Sequence, residues 1–150
     1  MNHSHYLDQV IEIYRAQVRA ELDLPEAIKW HFAFDHEPFM IYADSAQMEQ
    51  VLNNLFQNAI QALDGRGRIS IKASRTYKFD VIRVSDNGPG VPPELREQLF
   101  APLVTSKPRG TGLGLAICRQ FVEQHGGRIE LLAVDEPGTT IQISLPTEEG

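Results

Sequence analysis

Met48-Glu49-Gln50-Val51-Leu52-Asn53-Asn54-Leu55-Phe56-Gln57-Asn58-Ala59-Ile60-Gln61-Ala62-Leu63 is the stretch that decides the fold. Met48, Val51, Leu52, Leu55, Phe56, Ala59, Ile60 and Leu63 recur three and four apart, the period of a helix with one buried face. Asp44 and Ser45 supply N-cap chemistry before it, and Asp64-Gly65 ends it. Upstream, Leu7, Val10, Ile11, Tyr14 and Val18 predict an amphipathic helix over 7–20, and the alternation Ile28-Lys29-Trp30-His31-Phe32-Ala33-Phe34 predicts a half-buried strand. Downstream, residues 68–75 and 78–85 predict two strands joined by a short turn. A short helix over 93–99 and a loop over 100–109 follow. Leu113, Leu115, Ala116, Ile117, Phe121 and Val122 then mark a second long helix closed by His125-Gly126-Gly127, and strands over 128–134 and 139–145 complete the chain. The order αβαββααββ predicts an α+β fold, a two-layer sandwich in which helices cover one face of a largely antiparallel sheet.

At 150 residues and 42% apolar, the chain suits one domain spanning 1–150, with no repeat or linker. A net charge of −6 without a Lys/Arg run argues against nucleic acid or an anionic membrane surface as partner. No apolar run spans a bilayer, and Met1 to His5 lack a signal-peptide layout, so direct membrane insertion is not expected. One cysteine, Cys118, rules out an internal disulfide and fits a reducing, cytoplasmic setting. His3 and His5 make a poor metal site and receive no function.

Three segments carry polar chemistry. Asn54 and Asn58 lie one turn apart on the central helix, so both amides project from one face; they either cap loops and meet solvent or share a ligand. Asp86-Asn87-Gly88-Pro89-Gly90 follows a strand directly. It forms an Asx-capped turn, or it sets a carboxylate at a pocket mouth where it accepts a hydrogen bond from an exocyclic amine and so favours adenine. Gly110-Thr111-Gly112-Leu113-Gly114-Leu115 stands at a helix start, where unpaired N–H groups and the helix dipole bind phosphate, unless the glycines serve as a hinge. Its spacing matches neither a P-loop nor a dinucleotide fingerprint.

Together, in this order, these segments resemble the histidine-kinase branch of the superfamily that includes DNA gyrase, heat-shock chaperone and mismatch-repair ATPases. Asn54 to Ala59 resembles its N box, Asp86 to Gly90 its first glycine box, Phe100-Ala101-Pro102-Leu103 its F box, and Gly110 to Leu115 its second glycine box. Thr105-Ser106-Lys107 looks like the short ATP lid of the nitrogen- and dicarboxylate-sensor group. The resemblance implies a Bergerat-type fold and an ATP site. Asn58 would hold Mg²⁺, Asn54 would contact the phosphates, and Asp86 would meet the adenine amine. Gly88, Gly90, Gly110, Thr111, Gly112, Leu113, Gly114 and Leu115 would line the nucleotide, and Thr139 would lie near the adenine floor. Lys107 would neutralise charge on the transferring γ-phosphoryl group, which with Asn54 makes the catalytic pair. An Asn oxygen with triphosphate oxygens and waters satisfies Mg²⁺ without a carboxylate cage.

Gyrase-type relatives carry a glutamate one turn before the metal-binding Asn, where it activates water; here that position is Asn54, which has no basic oxygen. The substitution, together with Gln57, favours phosphoryl delivery to a nucleophile over hydrolysis. None of the five histidines, His3, His5, His31, His36 and His125, sits in an acidic-flanked helical acceptor box. The expectation is therefore a catalytic module that takes Mg²⁺-ATP and serves histidine-bearing dimerisation helices of the same parent kinase, and through them a response regulator. It would not label itself. A non-catalytic nucleotide sensor and a serine kinase are the alternatives.

Overall fold

A computed structural model describes residues 4–6, 28–35, 39–100, 114–132 and 137–147. The helix expected over 7–20 lies outside them. Among the described residues seven strands are formed: β1 (Ser4–Tyr6), β2 (Ile28–Phe34), β3 (Met40–Tyr42), β4 (Gly67–Arg75), β5 (Phe79–Asp86), β6 (Arg128–Leu132) and β7 (Thr139–Pro146). Two α-helices accompany them, α1 (Ser45–Leu63) and α2 (Gly114–Gln124).

Five strands make one sheet in the order β2-β4-β5-β7-β6. The pairs β4–β5, β5–β7 and β6–β7 are antiparallel, whereas β2 and β4 run parallel, because α1 lies between them and returns the chain to the same end of the sheet. Both helices pack on one face, α1 over β4 and β5 and α2 over β6 and β7, and they also touch each other. Ile69, Ile71, Ile82, Val84, Ile141 and Ile143 project from the sheet into the space that Val51, Leu52, Leu55 and Phe56 fill from α1. The two-layer α+β expectation therefore holds.

Two elements depart from the sequence reading. β1 and β3 form a small antiparallel sheet, Ser4 opposite Tyr42 and Tyr6 opposite Met40, too short for either strand to show a period-2 pattern. The short helix at Pro93–Gln98 is a 3₁₀ helix, as suits six residues that begin at a proline and lack a side-chain cap.

α1 is held firmly at both ends. The Asp44 carboxylate accepts a hydrogen bond from the Gln47 backbone N–H at 3.0 Å, and Asp64 closes the helix in the left-handed conformation at φ 54°. His125, just beyond α2, ties the helices together: its Nε2 accepts from the Asp44 backbone N–H at 3.0 Å, and its Nδ1 lies 2.8 Å from the Phe121 carbonyl. With one ring nitrogen on the cap of α1 and the other on α2, His125 has a structural task in this fold.

Candidate nucleotide site

One face of α1 collects the polar chemistry. Residues 54, 58 and 62 recur at four-residue steps, so Asn54, Asn58 and the Ala62 carbonyl lie along one stripe about 12 Å long at 1.5 Å per residue. Each point on the stripe faces something different.

At one end, Asn54 Nδ2 donates to the Gly114 carbonyl at 3.1 Å, tying the first turn of α2 to α1. At the other end, the turn after β5 presses on α1, since a Cβ at Gly88 would stand 2.7 Å from the Ala62 carbonyl oxygen and 3.1 Å from Asp86 Oδ1. Between them Asn58 is half-buried, and its amide has no hydrogen-bond partner among the described residues. A half-buried amide ordinarily finds a partner. Asn58 lies between the tether to α2 and the Asp86 turn.

Asp86 is 7% exposed, and its Oδ1 accepts from the Gly88 backbone N–H at 2.9 Å in an Asx turn. Register pairs Asp86 with Thr139 on β7, so the Thr139 side chain, also 7% exposed, stands beside the carboxylate on the helix-covered face. Both expected base-binding residues are thus brought together by the β5–β7 pairing. Gly138 makes that approach possible, because at φ 113° it occupies a conformation L side chains rarely adopt and a Cβ there would overlap the Asp86 carbonyl oxygen. Gly90, at φ 86°, faces the Gly138 carbonyl.

Of the remaining expected residues, Gly114 opens α2 against Asn54, and Leu115 packs partly buried against the core. Lys107, Gly110, Thr111, Gly112 and Leu113 lie outside the described residues, as do Ala101, Pro102, Leu103, Thr105 and Ser106. Sequence reasoning missed Gly138 and Asn87. Asn87 Oδ1 accepts from the Arg68 N–H at 2.8 Å and its own N–H donates to the Arg68 carbonyl, which pins the turn to β4. Its position directly after Asp86 at a strand end was the available signal.

Cys118, fully buried beneath the site, places its thiol 3.6 Å from the Val51 carbonyl. Burial raises its pKa from 9.0 to about 12, against smaller opposing hydrogen bonds from Asn54 and its own backbone. The neutral thiol is the form the fold accommodates. Its contribution to stability is complete below the unfolded-state value of 9.0 and declines as pH rises toward about 12. Cys118 in the native chain is accordingly expected to resist a disulfide thiol reagent at pH 8, reacting rapidly only after denaturant is added. Replacement by Val should flatten the fall in Tm above pH 9.

No helix among the described residues is long and apolar enough to cross a membrane.

Residues 43–149 match the family described as histidine kinase-, DNA gyrase B-, and HSP90-like ATPase. The chain belongs to this family. It is 42% identical over 106 residues to the sensor histidine kinase ZraS of Escherichia coli K12, covering 71% of this chain and 23% of ZraS. To the sensory histidine kinase/phosphatase NtrB of Escherichia coli O157:H7 it is 37% identical over 144 residues, covering 88% of this chain and 41% of NtrB. It thus spans less than half the length of these relatives. Among solved structures, the catalytic domain of histidine kinase ThkA superposes with a TM-score of 0.87 at 34% identity over 98% of this chain and 96% of that one. Within the family the chain is a histidine-kinase-type ATPase domain, and the resemblance to that branch holds.

Proposed function

We propose that the chain binds Mg²⁺-ATP along the α1 stripe, base toward Asp86 and phosphates toward Asn54, and transfers the γ-phosphoryl group to a histidine on dimerisation helices of its parent protein. The observation that carries this reading is the order along α1: a buried carboxylate turn at one end, a helix start tethered at the other, and between them the half-buried Asn58, whose amide has no hydrogen-bond partner among the described residues.

Asp86 accepts a hydrogen bond from the adenine amino group, while Thr139 and Gly90 border the base. Asn58 offers a hard oxygen of the kind Mg²⁺ prefers, which fits a half-buried amide with no hydrogen-bond partner among the described residues. When bound, the ion neutralises charge on the phosphates and holds them for in-line displacement. Asn54 Oδ1 orients toward the phosphate side while its Nδ2 keeps the start of α2 in place. The segment Gly110 to Gly114 supplies N–H donors, and Lys107 balances charge on the moving group. In the transfer, a bond forms between the acceptor imidazole nitrogen and the γ-phosphorus, the bond from that phosphorus to the β,γ-bridging oxygen breaks, and ADP leaves. Asn54 cannot take a proton from water, which favours transfer over hydrolysis.

NtrB by its name joins kinase to phosphatase activity, and ThkA has been solved with the response regulator TrrA. By analogy the phosphoryl group passes onward to a response regulator. This reading places the chain in the cytoplasm, attached to whatever sensor its parent carries.

The test mixes the chain with a separately produced domain bearing the parent's acceptor helices, in γ-labelled ATP and Mg²⁺. Alkali-stable, acid-labile label should appear on the helical domain and none on the chain alone. Nucleotide binding without transfer would leave a sensor module and contradict the kinase assignment.

A further inference from the structure

The sheet face opposite the helices carries a second polar arrangement that the nucleotide reading does not use. Ser70, Ser85 and Thr140 are register partners on β4, β5 and β7, so their hydroxyls form one row across the sheet, with Ser85 Oγ and Thr140 Oγ1 3.0 Å apart. One step along the strands, Lys72 stands opposite Arg83. One step the other way stands Arg68. These six side chains line a cavity of about 240 Å³.

Like charges directly opposite each other on a sheet cost stability. Lys72 and Arg83 nevertheless face each other, and Arg68, Lys72 and Arg83 are all exposed and make no ion pair among the described residues. Arg83 Nε donates to Gln142 Oε1 at 2.7 Å, which holds the guanidinium against a neutral partner. The carboxylate further along this face, Glu130, lies 3.6 Å from Arg128 and accepts a hydrogen bond from Gln142 Nε2 at 3.5 Å, so it meets Arg83 only through the Gln142 amide. Asp86 also borders the cavity, but register with Ile69 and Thr139 sets its carboxylate on the helix-covered face. In a chain of net charge −6, three cations around a floor of hydroxyls, none in an ion pair among the described residues, is a local reversal of sign.

We propose that this cavity is a binding site for a small free anion with two phosphate-like groups. Arg68 and Lys72 are four residues apart on β4, about 13 Å at strand rise, so their long side chains converge from opposite ends on the hydroxyl row. Two charged groups bridge that span, one near Lys72 and Arg83 and one near Arg68, and the hydroxyls donate to the oxygens between them.

The probe is inorganic pyrophosphate, titrated without divalent ions at constant ionic strength into the ¹⁵N-labelled chain, with orthophosphate and anionic-lipid vesicles as parallel arms. Saturating shifts are expected at residues 68, 70, 72, 83, 85 and 140, with orthophosphate weaker. Lys72→Ala and Arg68→Ala should each weaken pyrophosphate binding about tenfold or more, the loss of one charge-assisted hydrogen bond, with no loss of Tm, since Lys72→Ala also relieves the repulsion from Arg83. Shifts that follow ionic strength without saturating, or that fall only on α1 and the Asp86 turn, would overturn the site. So would equal affinity in both variants, or vesicle binding without pyrophosphate saturation. Because the reporting residues lie on the opposite face of the sheet from Asn58, the outcome is independent of whether ATP binds.

Discussion

Asp86→Ala is expected to weaken adenine-nucleotide binding by one to two orders of magnitude while leaving the chain folded. A hydrogen bond to a charged group is worth about 1.5–3 kcal/mol, and removing its acceptor from a pocket leaves the ligand amine without a partner. Asp86 is the buried carboxylate of the site, and the Gly88 N–H holds one of its oxygens in place. Asp86→Asn separates identity from packing. Its amide keeps the shape and the oxygen acceptor but adds a donor, so it should narrow the preference for adenine over guanine nucleotides more than it lowers total affinity. Calorimetry with ATP and GTP analogues reads both quantities. Equal ATP affinity in wild type and Asp86→Ala would remove the base from this end of the stripe.

The second large effect is at Asn58. Asn58→Ala should lower phosphoryl transfer by about 10² to 10³, the usual loss when one preorganised electrostatic ligand is taken from a transferring group. Stability should change little, since no described residue loses a hydrogen-bond partner. Varying Mg²⁺ at saturating nucleotide distinguishes the role: a metal ligand raises the Mg²⁺ concentration needed for half-maximal transfer, whereas a structural residue lowers the plateau alone. Asn54→Ala should behave differently from Asn58→Ala. It frees the Gly114 carbonyl, so part of its effect should appear as lost Tm.

The two asparagines also show how far letters alone could go. Their spacing placed both amides on one face of α1, as found, and left open whether they cap loops and meet solvent or share a ligand. In the structure Asn54 spends its nitrogen on Gly114, sixty positions later, and that pairing depends on how α2 packs. The helices and the five strands of the main sheet were legible because each has a sustained apolar period. Ile28–Phe34 matches its expected bounds, and α1 ends at Leu63 beside the anticipated Asp64-Gly65. The parallel β2–β4 pairing was not legible, since local pattern carries no strand direction. Nor was the β1–β3 pair, each strand having only three residues. Asp86 and Thr139 were named separately, and their adjacency comes from the β5–β7 register, which Gly138 permits.

A crystal structure of the chain with a non-hydrolysable ATP analogue and Mn²⁺, located by its anomalous signal, is the most direct test of the arrangement along α1. The account predicts the adenine amino nitrogen within hydrogen-bonding distance of an Asp86 oxygen and the metal ligated by Asn58 Oδ1. Adenine seated elsewhere, or a metal bound with no contact to Asn58, would contradict it.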